Sequence, residues 1–178
     1  MKKVLFLFFI VLGTCAVFAD EIFSHKTTAQ KAASVMPNFE SKSCKFSQNK
    51  IMTSSSVALK SSGNFKFIKN QGVIFETTCP IHSESSYTAS QNKRINNIVK
   101  SVVNKNYSYL EKNFDIYYMS TGAGKWMLAL RPLQNSPVKE GMKSIQITGE
   151  TKSNEGIITK MLIETPNAST TINFTDCR

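Results

Sequence analysis

The stretch of residues 46–81 constrains the fold most, because its pattern leaves few alternatives to paired strands. Apolar and polar residues alternate along residues 62–69 and again along residues 73–80. In a strand, such alternation puts the apolar side chains on one face. Residues 70–72, which end in Gly72, suit a tight reversal between the two runs. We therefore predict a β-hairpin with one apolar face, whose second strand stops at Pro80.

The flanking segments predict further strands. Residues 42–52 predict a first long strand, with Cys44, Phe46 and Gln48 on one face. The remaining strands are predicted at residues 86–90, where the pattern is weak, at 114–119 and 125–132 around a turn at 121–124, and at 142–149, 156–164 and 169–175. Together these segments indicate a run of antiparallel strands.

Two segments have helical spacing instead. Between residues 25 and 36, small or apolar residues recur every three or four positions, and Pro37 ends this predicted helix. A second, more strongly amphipathic helix is predicted over residues 95–114. Its apolar stripe consists of Ile95, Ile98, Val99, Val102, Val103, Tyr107, Leu110 and Phe114.

The first residues predict export. Lys2 and Lys3 precede an apolar run at residues 4–12, and compact residues occupy positions 17–19. We predict that residues 1–19 are a cleaved secretory signal and that residues 20–178 form one soluble domain. The alternative is lipid attachment at Cys15, but Thr14 is an unfavourable residue before a lipidated cysteine. We leave this alternative open.

The net charge bears on which partners the protein could bind, and the number of cysteines bears on its disulfides. The net charge is +10, which suits an anionic surface, and an exported protein meets lipid headgroups before nucleic acid. Solvated lysines alone would give the same composition. Beyond residue 19 there are three cysteines, which predict one disulfide and one free thiol.

The predicted meander limits which cysteines can pair. It places Cys44 and Cys79 at opposite ends of the sheet, roughly 23 Å apart, too far for a disulfide. Cys177 could pair with either of them, and the sequence does not choose.

The sequence offers no arrangement typical of catalysis. His25 and His82 are the only histidines, and neither has a second ligand at metal-binding spacing. The acidic residues are scattered singly, and no nucleophile elbow occurs. We therefore expect no enzyme activity, no metal and no cofactor.

Several motifs, taken in order, resemble the LolA-type periplasmic lipoprotein carriers. Phe46-Ser47-Gln48 is similar to the F-x-Q of the family's first strand, and Gly63-Asn64-Phe65-Lys66-Phe67 is similar to the G-x-F-x-F of its second. An aromatic strand ending in Pro80 follows. The run at residues 126–132 is similar to W-x-L-x-L-x-P, and residues 170–174 are similar to the T-x-I-x-F ending.

The resemblance implies a mainly β fold, an antiparallel incomplete barrel (half-barrel) with helices over its concave face. It implies a periplasmic carrier that shields lipoprotein acyl chains in a large apolar cavity and moves them from the inner to the outer membrane. The implied partners are an inner-membrane LolCDE-like exporter and an outer-membrane acceptor, LolB; the carrier itself would be a monomer that binds no nucleic acid. Alternatives are a carrier of another amphiphilic lipid, and a secreted interaction module with a filled core.

The resemblance also suggests which residues would act. The lipid-binding residues would be Phe46, Phe65, Phe67, Phe75, Trp126, Leu128 and Leu130. The lid would consist of Val99, Val102, Val103, Tyr107 and Leu110, although a helix packed for stability alone would show the same stripe.

One position departs from the family's pattern. Long family members have Arg-Pro after the second strand, where the arginine helps to latch the lid. Counted from Gly63, that position is Lys69 followed by Asn70. Lysine keeps the charge and loses the planar, multiply donating fork, so we expect a looser latch or none.

Overall fold

A computed structural model of the chain describes residues 21–69, 71–85 and 93–178. The predicted export signal, Cys15 and the weak strand at residues 86–90 lie outside these ranges. Across the described residues, every helix is too short or too polar to span a bilayer.

The described residues form ten strands and three α-helices. The strands are β1 (Lys26–Thr27), β2 (Lys42–Met52), β3 (Ala58–Ile68), β4 (Gly72–Cys79), β5 (Ser83–Ser85), β6 (Phe114–Gly122), β7 (Lys125–Pro132), β8 (Ser144–Lys152), β9 (Glu155–Glu164) and β10 (Ala168–Thr175). The helices are α1 (Ala29–Val35), α2 (Lys93–Val103) and α3 (Tyr107–Asn113), and a 3-10 turn at Ile22–Ser24 precedes β1.

All ten strands belong to one antiparallel sheet in the order β1-β6-β7-β8-β9-β10-β2-β3-β4-β5. The edge strands β1 and β5 do not pair with each other, so the sheet is open. β10 lies between β9 and β2, with Phe174 opposite Phe46. The predicted half-barrel with helices on one face is confirmed.

Alternation along the strands directs apolar side chains towards the helices. On β3, Phe65 and Phe67 are buried whereas Lys66 between them is exposed. A β-bulge follows Ser62, and bulges bend a strand and increase its twist. Gly63 is required at this bulge, because a Cβ atom there would overlap the Glu76 carbonyl oxygen of β4. The core therefore lies between the concave face and the three helices.

The prediction of one continuous helix over residues 95–114 is wrong. The first helix, α2, ends at Val103, and Lys105 has a left-handed φ of 54°. A second helix, α3, then starts at Tyr107, and Phe114 begins β6 rather than ending a helix. The apolar spacing hid the break, because the buried stripe continues in phase from α2 into α3.

Other boundaries differ by a few residues. The helix predicted within residues 25–36 begins at Ala29, because Thr28 caps it by accepting a hydrogen bond from the Lys31 backbone N at 3.2 Å. The residues before it form β1 instead, which pairs with β6. β3 begins at Ala58, several residues earlier than the sequence pattern indicates, so the β2–β3 hairpin is longer than predicted.

The structure decides the cysteine pairing. Cys44 is disulfide-bonded to Cys177, and Cys79 is a free, exposed thiol. The pair forms because β10 lies beside β2, so the residues after β10 return to the start of β2. There Ser43 and Arg178 exchange two backbone hydrogen bonds of 2.9 and 3.0 Å.

Candidate functional site

The seven predicted lipid-binding residues come together on the concave face. Six of them are buried in the main hydrophobic cluster, and Phe75 packs against that cluster from a partly exposed position. The residues concerned are Phe46, Phe65, Phe67, Phe75, Trp126, Leu128 and Leu130. The strand register predicted from the motifs therefore places these side chains on one surface.

One half of this face is aromatic. The Phe65 ring centre lies 4.9 Å from that of Phe75 and 4.6 Å from that of Phe174, and Phe46 lies 5.3 Å from Phe75. We call these four rings the aromatic cluster. Phe174 is absent from the predicted site, although it belongs to the T-x-I-x-F motif, because the sequence did not show that β10 enters the middle of the sheet.

The other half is aliphatic. Five side chains on β6, β7 and β8 are almost completely buried, and we call them the aliphatic wall: Ile116, Leu128, Leu130, Ile145 and Ile147. Trp126 also lies in this half, where its ring contacts Phe39 edge to face at 5.8 Å. Gly149 makes room for that ring, since a Cβ atom at this position would collide with it.

The predicted lid residues face the concave surface. Val99, Val102, Val103, Tyr107 and Leu110 all belong to the same hydrophobic cluster as the sheet residues. α2 contacts β4 and α3, and its stripe of Ile98, Val99, Val102 and Val103 is buried. Together α2 and α3 therefore form a cover over the sheet.

A buried hydrogen bond fastens α2 to β4. The Asn96 side-chain oxygen accepts a hydrogen bond from the Val73 backbone N at 3.1 Å. Because both groups are buried, water cannot readily replace either partner. Asn96 was missed in the sequence, because an asparagine in an Asn-rich helix gives no sign of being buried.

Lys69 occupies the position of the implied latch, but its contacts are with the segment before β2 and not with the helical cover. Its ammonium forms an ion pair with Glu40 at 2.7 Å, and its backbone N donates to the Ser41 hydroxyl at 3.1 Å. Both charged side chains are about half exposed, so the ion pair contributes little stability. These contacts join β3 to the segment before β2, whereas Asn96 and apolar packing hold the cover.

The described residues leave much less space beneath α2 than the large cavity that the resemblance implies. Between α2 and the sheet there is a gap of about 20 Å³, bordered by Phe65, Phe67 and Val99. Beside α2, a pocket of about 220 Å³ reaches the aromatic cluster. Its lining is Phe46, Gln48, Ser61, Val73, Phe75, Thr77, Ile95, Asn96, Ile163 and Ile172. Sites for drug-sized ligands measure about 300–1,000 Å³, so the side chains of α2 occupy space that a ligand would need.

Two polar atoms in the core, one on α3 and one on β7, are buried at an energetic cost. The Tyr107 hydroxyl and the Trp126 indole N–H have no hydrogen-bond partner among the described residues. Leaving a buried polar group unsatisfied costs about 1–3 kcal/mol. Burial also raises the pKa of Tyr107 well above its usual range, and the nearby Tyr118 acts in the same direction.

The acidic, histidine and cysteine side chains do not gather into a metal site. Within residues 21–69, 71–85 and 93–178, no three of them lie close enough together to hold an ion. The concave face itself offers apolar contact, with a few hydrogen-bonding groups at its margin.

Comparison with known proteins gives similarity at the level of fold. No family model matches the chain, and no curated protein matches it in sequence. A LolA superfamily protein from Nitrosomonas europaea is 11% identical, with a TM-score of 0.42 over 85% of this chain and 93% of that one. A DUF1329 family protein from Desulfovibrio piger is 10% identical, with a TM-score of 0.46 over 84% and 89%.

A third solved structure is a putative outer membrane lipoprotein-sorting protein domain from Vibrio parahaemolyticus. It is 10% identical, with a TM-score of 0.42 over 84% of this chain and 89% of that one. These identities and TM-scores describe a distant likeness in the path of the chain alone.

Proposed function

We propose that this protein carries acyl chains beneath α2, with lipoproteins as the cargo. The observation that supports the proposal best is the arrangement of α2, whose whole apolar stripe covers the aromatic half of the concave face. One side of that helix already borders a pocket of about 220 Å³. In this proposal the ligand enters at the pocket and replaces α2 as the cover of the phenylalanine rings.

The energetics allow one acyl chain to displace the helix. Burial of a Val or Ile side chain contributes about 1.5–3 kcal/mol, so exposing the four residues of the α2 stripe costs on the order of 8 kcal/mol. Relative to an acyl chain in water, each buried methylene contributes about 0.8 kcal/mol, so about ten methylenes offset that cost. One chain of about fifteen methylenes therefore suffices.

The break between α2 and α3 gives the cover a place to bend. Residues 104–106 separate the two helices, and Lys105 has a left-handed backbone. Motion confined to α2 would enlarge the pocket and leave α3 and the aliphatic wall in place. The unsatisfied Tyr107 hydroxyl lies just beyond this break, where water would reach it once the cover opens.

The wider setting of the proposal follows from the motifs. The predicted signal at residues 1–19 would export the chain to the periplasm, where acyl chains need shielding from water. An inner-membrane LolCDE-like complex would load the carrier and an outer-membrane acceptor would unload it. The carrier would act without enzymatic chemistry and as a monomer.

A blocked pocket tests the proposal. Ser61 lies at the pocket mouth opposite Gln48, whereas the next residue, Ser62, points to the other face of the sheet. We expect Ser61→Trp to weaken binding of a fluorescent fatty-acid probe at least about tenfold, since the indole would occupy the entrance. Ser62→Trp is the matched control and should bind the probe normally.

Recovered ligands separate the alternatives. Mass spectrometry of material bound to the protein from the periplasm should find lipid-modified peptides if lipoproteins are the cargo. Free lipids alone would favour the carrier of another amphiphile. If the wild-type protein bound neither the probe nor any lipid, the closely packed interior would instead favour an interaction module with a filled core.

A further inference from the structure

Exposed apolar side chains gather at one end of the sheet. Among the described residues, five large hydrophobic side chains are exposed, and four of them lie at this end: Ile51 (44%), Val57 (49%), Leu59 (52%) and Ile81 (76%). Ile51 belongs to β2, while Val57 and Leu59 belong to the return into β3. Ile81 lies in the turn between β4 and β5, beside the Ser62 end of β3, because Cys79 pairs with Ser62. A protein surface rarely collects apolar side chains in this way without a partner.

The β3 arm of the β2–β3 hairpin extends beyond β4 at this end, whereas the β2 arm stays paired with β10 as far as Met52, and the Thr53 backbone N donates a hydrogen bond of 2.9 Å to the Asn167 carbonyl. β4 pairs with β3 only from Ser62 onwards, so residues 58–61 are paired on one side alone, with β2. The turn at residues 53–56 is held by a hydrogen bond of 2.9 Å from the Ser56 backbone N to the Met52 carbonyl. Its side chains are Thr53 and three serines, without a carboxylate.

The apolar residues of the hairpin lie on both of its faces. Leu59 pairs with Lys50, and this pair continues the concave face that Ser61 and Gln48 begin. Ile51 pairs with Ala58 and points to the opposite face. A protein partner would cover one face of such a ribbon. A lipid phase surrounds both.

Two lysines lie next to these apolar residues, on the side nearer the body of the protein. Lys50 and Lys60 lie one on each face of the hairpin, and the hairpin residues 50–60 contain no acidic side chain. The carboxylate of Glu164, two strands away, already accepts a hydrogen bond from the Ser169 hydroxyl at 2.6 Å. Apolar side chains flanked by lysines suit a bilayer with anionic headgroups.

We propose that the end of the β2–β3 hairpin docks on the surface of an anionic bilayer. Ile51, Val57 and Leu59 enter the boundary between headgroups and acyl chains, and Lys50 and Lys60 bind the headgroup phosphates. Ile81 enlarges the apolar contact from the neighbouring turn.

The docked hairpin would bring the pocket close to the lipid. Ser61 and Gln48 at the pocket mouth lie two residues from the Leu59–Lys50 pair on the same face, which is about 7 Å along the strand. An acyl chain could then pass between bilayer and pocket with a short path through water. This consequence for transfer rests on the proposed function, whereas docking itself does not.

Vesicle binding tests the inference. The full chain would be sedimented with phosphatidylcholine vesicles, with and without phosphatidylglycerol, in the absence of any acyl probe. We expect Ile51→Ser with Leu59→Ser to lower the partition coefficient about tenfold, because two partly exposed side chains lose their apolar contact. Val35→Ser is the matched control, since Val35 is 43% exposed on α1 and should leave binding unchanged.

The lysines give a second measurement. Lys50→Gln and Lys60→Gln should each reduce binding to the phosphatidylglycerol vesicles by roughly fivefold and should have little effect on neutral vesicles. Lys66→Gln, on the same strand as Lys60 and far from the hairpin end, is the control. Equal binding of all variants, or no binding of the wild type, would overturn the docking proposal.

Two further results separate docking from self-association and from acyl binding. Self-association of the wild type in sedimentation experiments without vesicles, abolished by Ile51→Ser with Leu59→Ser, would overturn docking in favour of a second copy as the partner. Binding of a soluble fatty-acid probe should stay normal in that double variant. Loss of vesicle binding with intact probe binding in the double variant supports docking. If the wild type does not bind the probe, that result contradicts the proposed carrier function and leaves docking unaffected.

Discussion

The two halves of the concave face use apolar residues in different ways. The aliphatic wall on β6, β7 and β8 is almost completely inaccessible, and its strands contact neighbours on both sides within the sheet. The aromatic cluster on β2, β3, β4 and β10 includes a partly exposed ring, Phe75, and borders the pocket beside α2. The wall and the aromatic cluster are continuous through one hydrophobic core, and the two spaces described next to α2 both border the aromatic half.

In the proposed carrier, this difference would separate stability from binding along a single sheet. A filled aliphatic wall can hold the fold when the cover over the aromatic half moves. Large flat rings in the aromatic half can contact either the α2 side chains or a flexible chain, since aromatic surfaces contribute contact area without requiring a fixed partner shape. The following predictions test that separation, beginning with the largest expected effect.

Leu130→Ala should destabilise the protein most. The side chain is fully buried in the wall, and truncation of such a leucine costs about 2–5 kcal/mol in unfolding free energy. Urea denaturation measures this loss. Although the motifs assign Leu130 to lipid binding, the proposed ligand covers the phenylalanine rings instead, so the folded variant should still bind a fatty-acid probe normally. Phe75→Leu is the comparison in the aromatic half and should cost less than half as much while weakening binding of the probe. Equal losses of stability would contradict a division between the halves.

Asn96→Ala should loosen the cover without disturbing the wall. The variant removes the acceptor of the Val73 backbone N–H, and an unsatisfied buried amide costs about 1–3 kcal/mol. We expect faster hydrogen exchange in α2 and unchanged exchange in β7. Asn97→Ala, one residue further along and less buried, is the control. Similar acceleration in β7 would show that the two halves open together.

Tyr107→Phe should give the smallest change, and it should be stabilising by about 1 kcal/mol, because the buried hydroxyl has no hydrogen-bond partner within residues 21–69, 71–85 and 93–178. The pH dependence should change as well. Burial raises the pKa of Tyr107, so above about pH 10 the unfolded chain loses this proton while the folded protein retains it, and stability falls as the pH rises. Thermal unfolding from about pH 8 to about pH 11 should therefore show a shallower decline in the variant. An equally steep decline in the variant and the wild type would contradict this role of Tyr107.

Local patterns in the sequence predicted much of the sheet. β2 begins and ends where the alternation of residues 42–52 indicates, and the concave residues were correctly grouped because a period of two fixes the face. The break between α2 and α3 was missed, since the helical period alone cannot distinguish one helix from two in phase. The disulfide partner of Cys44 depended on where β10 lies in the sheet, which no local pattern reports.

The candidate site was predicted in part for the same reason. Its apolar residues follow from alternation, whereas Phe174 and Asn96 act through contacts between segments distant in sequence. The interior volume also escaped prediction, because it depends on how far the side chains of α2 fill the space above the rings. A hollow interior and a filled interior need the same apolar residues, so amino-acid composition does not distinguish them.

The position of β10 bears on the order in which the chain can fold. Among the named strands, β2 to β5 form one paired group and β1 with β6 to β9 form another, and β10 alone joins them. A chain that emerges from a ribosome or a pore with its first residues leading cannot complete this sheet until residues 168–175 have followed. Pairing of β2 with β10 joins segments near opposite ends of the described chain, and contacts so distant in sequence form slowly. The topology thus delays completion of the sheet until residues 168–175 are free to pair.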